Sequence, residues 1–526
     1  MSILRRLTAG AIVARSNTHL FERPDRLPRA LLAMAPWGAS PAGALAAAAA
    51  RYPRRVAVYD DEGSITYQDL WQRATAVAGG LAAHGVGPGV RVGLMCRNHR
   101  GFVEWLLGIA ATGADTVLLN TGFAGPQLAD VVVGERIDYV VHDDEFASVA
   151  AHIGVRMCFD EAAMRVMAGS GRSVHPPPSQ GSLIILTSGT TGRPKGAVRR
   201  SDPEAIEGVA AILERVPFRL GDTQVIAAPL FHAWGLTNLL LGISRCTTNV
   251  LSRKFDPAAT LCATALHRAE VLVVVPVMLI RMLALPPDVA EQAATPTLRV
   301  IASSGSSLGP VLATAVLQRF GPVLYNLYGS TEVAVATIAT PGDLLVAPGT
   351  AGRVAFGVRV EIVDQSGAPL PDGSTGRVFV GGAMRFDGYT NGGGKEQLRG
   401  LLCSGDMGHF HDGLLFVEGR EDDMIVSGGE NVFPGEVEDL LANLRGVAEV
   451  AVVGVADDEF GQALAAFVVK RRGARLDSAD VRAHVRSRLA RYKVPRLVTF
   501  VEELPRNASG KVLRRALADT VDEQRR

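Results

Sequence analysis

The residues best suited to chemistry stand together in LTSGTTGRPKGA at residues 186–197, where the apolar run SLIILT leads into a loop dense in glycine and hydroxyls. Gly189, Gly192 and Gly196 let backbone N–H groups approach an anion closely. The hydroxyls of Thr187, Ser188, Thr190 and Thr191 add donors, and Lys195 adds positive charge. Such a loop is suited to holding phosphate. It is not the Walker sequence, which spaces four residues between its first glycine and the Gly-Lys-Ser/Thr ending, so an ordinary nucleoside triphosphatase is disfavoured. A plain hairpin turn is also rich in glycine and serine, but it does not require the ordered string T-S-G-T-T-G-x-P-K-G.

Six further segments carry groups of the right chemistry. PLFHAWG sets His232 among aromatics, although a lone histidine is more often a structural hydrogen-bonder. ASSGSSL, residues 302–308, reads as a turn between strand and helix. NLYGSTE, residues 326–332, offers a flat ring at Tyr328, a hydroxyl at Thr331 and a carboxylate at Glu332 suited to Mg2+; a loop leading to a capped helix would look similar. SGDMGHF places Asp406 after a tight turn, and LFVEGREDDMI places Arg420 at a strand end, a pair that could equally be a surface salt bridge. LPRNASGKVLRR carries Lys511 on a glycine-containing loop, where a lysine is ordinarily solvated.

With these motifs following in order, TSGTTGRPKG resembles the signature of the adenylate-forming superfamily, which includes acyl-CoA synthetases, peptide-synthetase adenylation domains and firefly luciferase. The resemblance covers nearly all of the chain from about Pro41 onward. It implies that the phosphate loop binds ATP and that His232 shields and orients a substrate carboxylate. It implies further that Gly305 and Ser306 approach adenine through backbone atoms, Ser307 standing where the family commonly has proline. Asn326, Tyr328, Gly329 and Thr331 belong to the nucleotide site on the same grounds, and Glu332 to Mg2+. Asp406 and Arg420 match the ribose clamp, Asp422 the hinge, and Lys511 the lysine that reaches the reacting carboxylate and phosphate. SGGENVFP, with Gly428 and Gly429, matches the segment lining the path of the thiol. The implied reaction joins a small carboxylic acid to AMP and passes the acyl group to coenzyme A. A medium- or long-chain fatty acid is expected, because no charged pocket signature for an amino or hydroxy acid stands out. An acyl-AMP ligase loading a carrier protein and a catalytically silent relative are the alternatives.

Elements must position these groups, and 526 residues exceed what one hydrophobic core serves well, so two or more domains are expected. Strands and helices alternate from SITYQDLWQRATAVAGGLAAHGV through RVGLMC and DTVLLN, which predicts α/β architecture with largely parallel sheets. SVHPPPSQG is an extended connector. Short alternating strands from Gly352 to Val380 predict a small antiparallel β unit, and a compact α+β module of about 100 residues follows. The expected division is a leader over 1–40, an adenylation domain over 41–421 and a mobile C-terminal domain over 422–526. The apolar stretch from Val271 to Ile280 is too short to span a bilayer and reads as a buried strand and turn.

Composition excludes several classes. Lys plus Arg number 54 against 53 Asp plus Glu, so no global field draws the chain to nucleic acid. Five scattered cysteines lack metal-ligand or redox spacing, which suits a reducing cytoplasm and buried packing. The leader, MSILRRLTAGAIVARSN, lacks a convincing cleavage site and is expected to be an amphipathic arm packed on its own chain; weak contact with an anionic membrane is the other reading.

Overall fold

The computed structural model describes residues 8–13, 25–188, 194–199, 205–286, 289, 295–382, 388–427, 430–457, 461–507 and 510–525. Its architecture is α/β, with a large N-terminal part built on two mostly parallel sheets, a smaller β unit and a small C-terminal α+β part.

The first sheet has six strands in the order Met157–Phe159, Tyr139–His142, Arg91–Met95, Asp115–Leu118, Leu183–Ser188 and Pro194–Arg199. All neighbours are parallel except the last pair. The second has nine, in the order Arg353–Val354, Ala334–Ala339, Leu324–Ser330, Val300–Ser303, Val271–Val274, Thr223–Ile226, Thr248–Leu251, Val56–Asp60 and Gly63–Thr66. Its six central strands run parallel and lie in the interior; Val271–Val274 is apolar and buried at all four positions, while Gln224, Asn249 and Asn326 are buried polar members of the other central strands.

Local chemistry sets the ends of the helices. Thr66 caps Tyr67–Ala83 by accepting from the Asp69 N–H. His99 caps Arg100–Thr112, and Gly113 ends it in a left-handed conformation. The stretch expected to be a strand and turn is a strand followed by the helix Pro276–Leu283, because proline at the first helical position lacks only an N–H that would be unpaired anyway.

Antiparallel strands from Arg359–Val363 to Leu414–Arg420 form the small β unit, which extends past the expected Val380. The next sheet begins at Ile425–Ser427 and contains the long pair Val447–Asp457 and Gly461–Lys470. Alternation along that pair serves two cores. Val452, Leu464, Ala466 and Val468 face the helices Pro434–Ala442 and Ser478–Arg486, while Val453, Val455, Ala465 and Phe467 face Arg514–Arg525.

In the leader, Ala9 is buried and Ile12 and Val13 pack against the main core, as expected of an arm folded onto its own chain. No helix among the described residues is long and apolar enough to cross a membrane. The cysteines differ from expectation, since Cys158 and Cys262 are exposed and only Cys96, Cys246 and Cys403 are buried. Cys96 also lies close to His99 and Asp143 in space. That cluster is internally satisfied: His99 Nδ1 accepts from the Gly101 N–H, so Nε2 carries the proton and donates to Asp143 at 2.7 Å. It reads as a helix cap.

Candidate functional site

The strands on either side of the phosphate-loop segment, Leu183–Ser188 and Pro194–Arg199, pair antiparallel, with Thr187 opposite Lys195 and Ser188 opposite Pro194. A strand, rather than a helix, leaves the loop, so no helix dipole stands behind it and charge must come from side chains. Gly189, Thr190, Thr191 and Gly192 lie outside the described residues. The Thr187 hydroxyl donates to the Lys195 carbonyl at 3.3 Å.

A second segment closes on this strand pair from far along the chain. Tyr389 bridges to Ala197, the Thr390 N–H donates to the Gly196 carbonyl at 2.9 Å, and the Val198 N–H donates to Gly388 at 3.3 Å. Buried Glu135 accepts through Oε1 from the Gly196 N–H at 3.0 Å and from the Thr390 hydroxyl at 2.9 Å. The Lys195 ammonium sits over the Tyr389 ring, 5.6 Å from its centroid. The Tyr389 hydroxyl donates to Glu332 Oε1 at 2.8 Å, while Ser330 donates to Glu332 Oε2 at 2.8 Å. Glu332 is thus a buried carboxylate held at both oxygens by neutral donors, each oxygen keeping a lone pair for a hard cation. That donor set fits Mg2+.

NLYGSTE is mostly strand rather than loop, which carries Asn326, Tyr328 and Gly329 at the end of Leu324–Ser330, and Thr331 follows it in a turn. Asn326 is opposite Ser303 in register, and both are buried with Asn326 Oδ1 and Ser303 Oγ unpartnered. A buried acceptor without a donor is costly unless a ligand supplies one. The turn after Val300–Ser303 holds Gly305 at φ +98°, with Ser306 exposed beside it.

Asp406 lies within the strand Leu401–His411, not after a tight turn, and is directly opposite Arg420 in the antiparallel pair. Tyr328 donates to Asp406 Oδ2, Arg420 Nη1 lies 3.7 Å from Asp406 Oδ1, and Arg420 Nε donates to Asp422 at 2.9 Å. Burial, then the Asp406 charge, pushes Tyr328 well above its usual range, so it stays protonated as the donor. Burial also raises Asp406, against the hydrogen bond from Tyr328 and the charge of Arg420. Asp422 is lowered: burial acts upward, but the hydrogen bond and charge of Arg420, with the charge of Lys511, outweigh it.

His232 precedes the helix Ala233–Ser244 and packs against Phe231, with ring centroids 4.4 Å apart and ring planes tilted by 45°. Its Nε2 is buried without a partner, and burial pushes the imidazole down to about 4, so it is neutral at pH 7. Trp234 is pinned by donating to the Val274 carbonyl at 3.0 Å. Buried Asn98 bridges this loop to the other sheet, donating to Ile226 and Ala228 and accepting from the Leu230 N–H at 2.9 Å.

Lys511 is exposed and stands on a tight hairpin rather than a loose loop. Its N–H donates to Asn507 Oδ1 at 2.9 Å, and Arg506 bridges to Val512. Gly510 has φ +82°, and a Cβ there would meet Val277 Cγ1 at 2.4 Å, so only glycine allows this hairpin against the N-terminal part. Gly428 and Gly429 lie outside the described residues.

The structure therefore draws Lys195 and Glu332 into one group, and Tyr328, Asp406, Arg420 and Asp422 into another. A family model described as AMP-binding enzyme matches residues 45–390, and one described as AMP-binding enzyme C-terminal domain matches 436–511. The chain belongs to the AMP-binding enzyme family. It is 34% identical over 483 residues to the indoleacetate–CoA ligase of Aromatoleum aromaticum, covering 88% of this chain and 94% of that one. It is 33% identical over 475 residues to a feruloyl-CoA synthase of an Amycolatopsis species, covering 88% and 95%. ATP-bound MatB from Rhodopseudomonas palustris superposes with a TM-score of 0.81 at 28% identity, covering 90% and 97%. This ligase is accordingly an AMP-forming acid–CoA ligase that uses ATP, Mg2+ and coenzyme A. Sequence reasoning missed Tyr389, Thr390, Glu135, Ser330 and Asn98. Only the glycine-rich FDGYTNGG around Tyr389 carried any signal of a turn.

Proposed function

We propose that this ligase activates an aromatic carboxylic acid, in two half-reactions separated by movement of residues 422–526 about Asp422 against residues 41–421. In the first, a carboxylate oxygen attacks the α-phosphorus, the bond to pyrophosphate breaks and acyl-AMP remains. Lys195 and the loop hydroxyls hold the phosphates. Thr331 adds a donor, and Glu332 would hold Mg2+, which when bound would neutralise charge on the departing pyrophosphate. The unpaired Oδ1 of Asn326 suits the exocyclic amine of adenine, with the backbone of Gly305, Ser306 and Gly329 alongside the base. Asp406 and Arg420 take the ribose hydroxyls, and Lys511 adds charge at the crowded anionic centre. In the second, the thiol sulfur attacks the acyl carbon, a C–S bond forms and AMP leaves. Gly428 and Gly429 give the pantetheine room.

His232 orients the acid without taking a proton, since the imidazole is neutral and a carboxylate is already ionised at pH 7. The observation that carries the substrate class is the aromatic cluster beside it: Phe231 packed against His232 at a 45° tilt, and Trp234 fixed by its bond to Val274. Fixed flat faces favour a planar ring over a flexible chain, which would lose more conformational entropy on binding. The named acids of the two curated relatives, indoleacetate and ferulate, support this reading, and the expected medium- or long-chain fatty acid finds no support in them. An acid panel with ATP and coenzyme A, read by mass spectrometry, tests it. Arylacetates and cinnamates should exceed C8 to C16 fatty acids in kcat/KM by about tenfold or more, the discrimination available to a shaped apolar pocket. The reverse order would overturn the assignment.

A further inference from the structure

We propose that Tyr389 is a positioning residue for the adenylation half-reaction, setting the metal-side carboxylate Glu332 and the phosphate-side cation Lys195 at a fixed separation. The inference rests on the proposed roles of those two residues. Three elements distant in sequence meet at one side chain. Its hydroxyl donates to Glu332 Oε1 at 2.8 Å, its ring lies under the Lys195 ammonium at 5.6 Å, and its backbone bridges to Ala197 in the strand that leaves the phosphate loop.

The segment is anchored so that Tyr389 has little freedom of its own. Gly388 enters it at φ +108°, a conformation that a side chain would strain. Thr390 then fixes it twice, through its N–H to Gly196 and its hydroxyl to Glu135, which also receives the Gly196 N–H. One buried carboxylate thus ties the strand that leaves the phosphate loop to the residue next to Tyr389.

A structural role alone would not call for a phenol here. Glu332 is already held by Ser330 at its other oxygen, so the second donor adds orientation. A neutral donor can aim a carboxylate without competing with a cation for its charge. A lysine or arginine at 389 would neutralise Glu332 and repel Mg2+. The aromatic face serves Lys195 in the same way, restraining the ammonium without pairing off its charge. The arrangement fixes both charged groups and leaves both charges free for the nucleotide.

The test is Tyr389→Phe, which keeps the ring under Lys195 and removes only the hydroxyl. Binding of α,β-methylene-ATP is measured by calorimetry with Mg2+ titrated and again in EDTA. Single-turnover adenylation and thiolysis of supplied acyl-adenylate are followed separately. The expected result is a Mg2+ requirement raised about tenfold for binding and adenylation, the order expected for losing a hydrogen bond to a charged group. Binding in EDTA and thiolysis should be unchanged. Tyr389→Leu should additionally weaken binding in EDTA, because Lys195 loses its restraining face. An unaltered Mg2+ requirement in Tyr389→Phe, or equal loss in both half-reactions, overturns the inference. Glu332→Gln separates the two levels. If it shifts the Mg2+ requirement and Tyr389→Phe does not, only the positioning role fails; if neither shifts it, the assignment of Glu332 to the metal fails as well.

Discussion

Asp439 offers a direct handle on the docking of the C-terminal part. It lies on the helix Pro434–Ala442, and its Oδ1 is 3.1 Å from where a Cβ would stand on Gly309, at the start of Pro310–Phe320. Burial, then Glu438 on its own helix and Glu418 from Leu414–Arg420, pushes its carboxyl from 3.8 to about 7. Glu438 is itself paired with Arg514, so that guanidinium is not left to serve Asp439. If the C-terminal part rotates away, Asp439 returns to water and to its ordinary range. Below about pH 4 the group is protonated in both arrangements, and above about pH 7 it is charged in both. Between those values the docked form holds the extra proton, so docking weakens as pH rises through the window. A shift of this size corresponds to a ceiling of roughly 4 kcal/mol. Partial exposure and solvent relaxation reduce the realised cost to about half. Asp439→Asn removes the titration. Its gain over wild type in single-turnover adenylation should therefore grow about fivefold from pH 5.5 to 8, with about thirtyfold as the unscreened limit. A ratio that stays flat or falls with pH would refute the reasoning.

Two other substitutions probe separate parts of the site. Lys511→Ala should slow acyl-adenylate formation by at least about a hundredfold, as expected for removing a charge aimed at an anionic transition state, while thiolysis of supplied acyl-adenylate continues; stopped-flow measurement of both steps checks this, and equal loss in both would contradict the division of labour. Asn98→Ala strands the Ile226 and Ala228 carbonyls and the Leu230 N–H in a buried place. It should cost about 2–4 kcal/mol of stability and raise KM for the acid, seen by thermal unfolding and steady-state kinetics.

Much of the candidate site could be proposed from sequence because its residues lie in short strings whose types answer one chemical need. The phosphate loop, NLYGSTE and the lysine near the C-terminus are of that kind. Asp406 and Arg420 were paired by resemblance, and the antiparallel register places them directly opposite each other. The errors came from local readings of glycine and proline. Gly405 suggested that Asp406 follows a turn, yet φ +84° is accommodated inside an eleven-residue strand. Pro276 suggested a turn, yet it opens a helix. What sequence could not reveal is contact between distant segments. Thr390 meets Glu135 across 255 positions and Leu230 meets Asn98 across 132, and neither Glu135 nor Asn98 sits in a motif of its own.

Under the proposed function, the strand pairing on either side of the phosphate loop decides where its positive potential can come from. A strand-loop-helix phosphate site gains part of its positive potential from the helix N-terminus, which is permanent and cannot be withdrawn. Here the chain leaves the loop as a strand, so under that reading the potential depends on ammonium groups: Lys195 on the strand that follows and Lys511 next to Gly510, which packs against Val277. Potential carried by a side chain on a separate part can be removed by moving that part. Under the proposed rotation, stabilisation is present while pyrophosphate departs and absent when the thiol arrives, so acyl-AMP is formed under one field and consumed under another. Tyr389 fits the same logic, since it holds the permanent cation in place on the side that does not move.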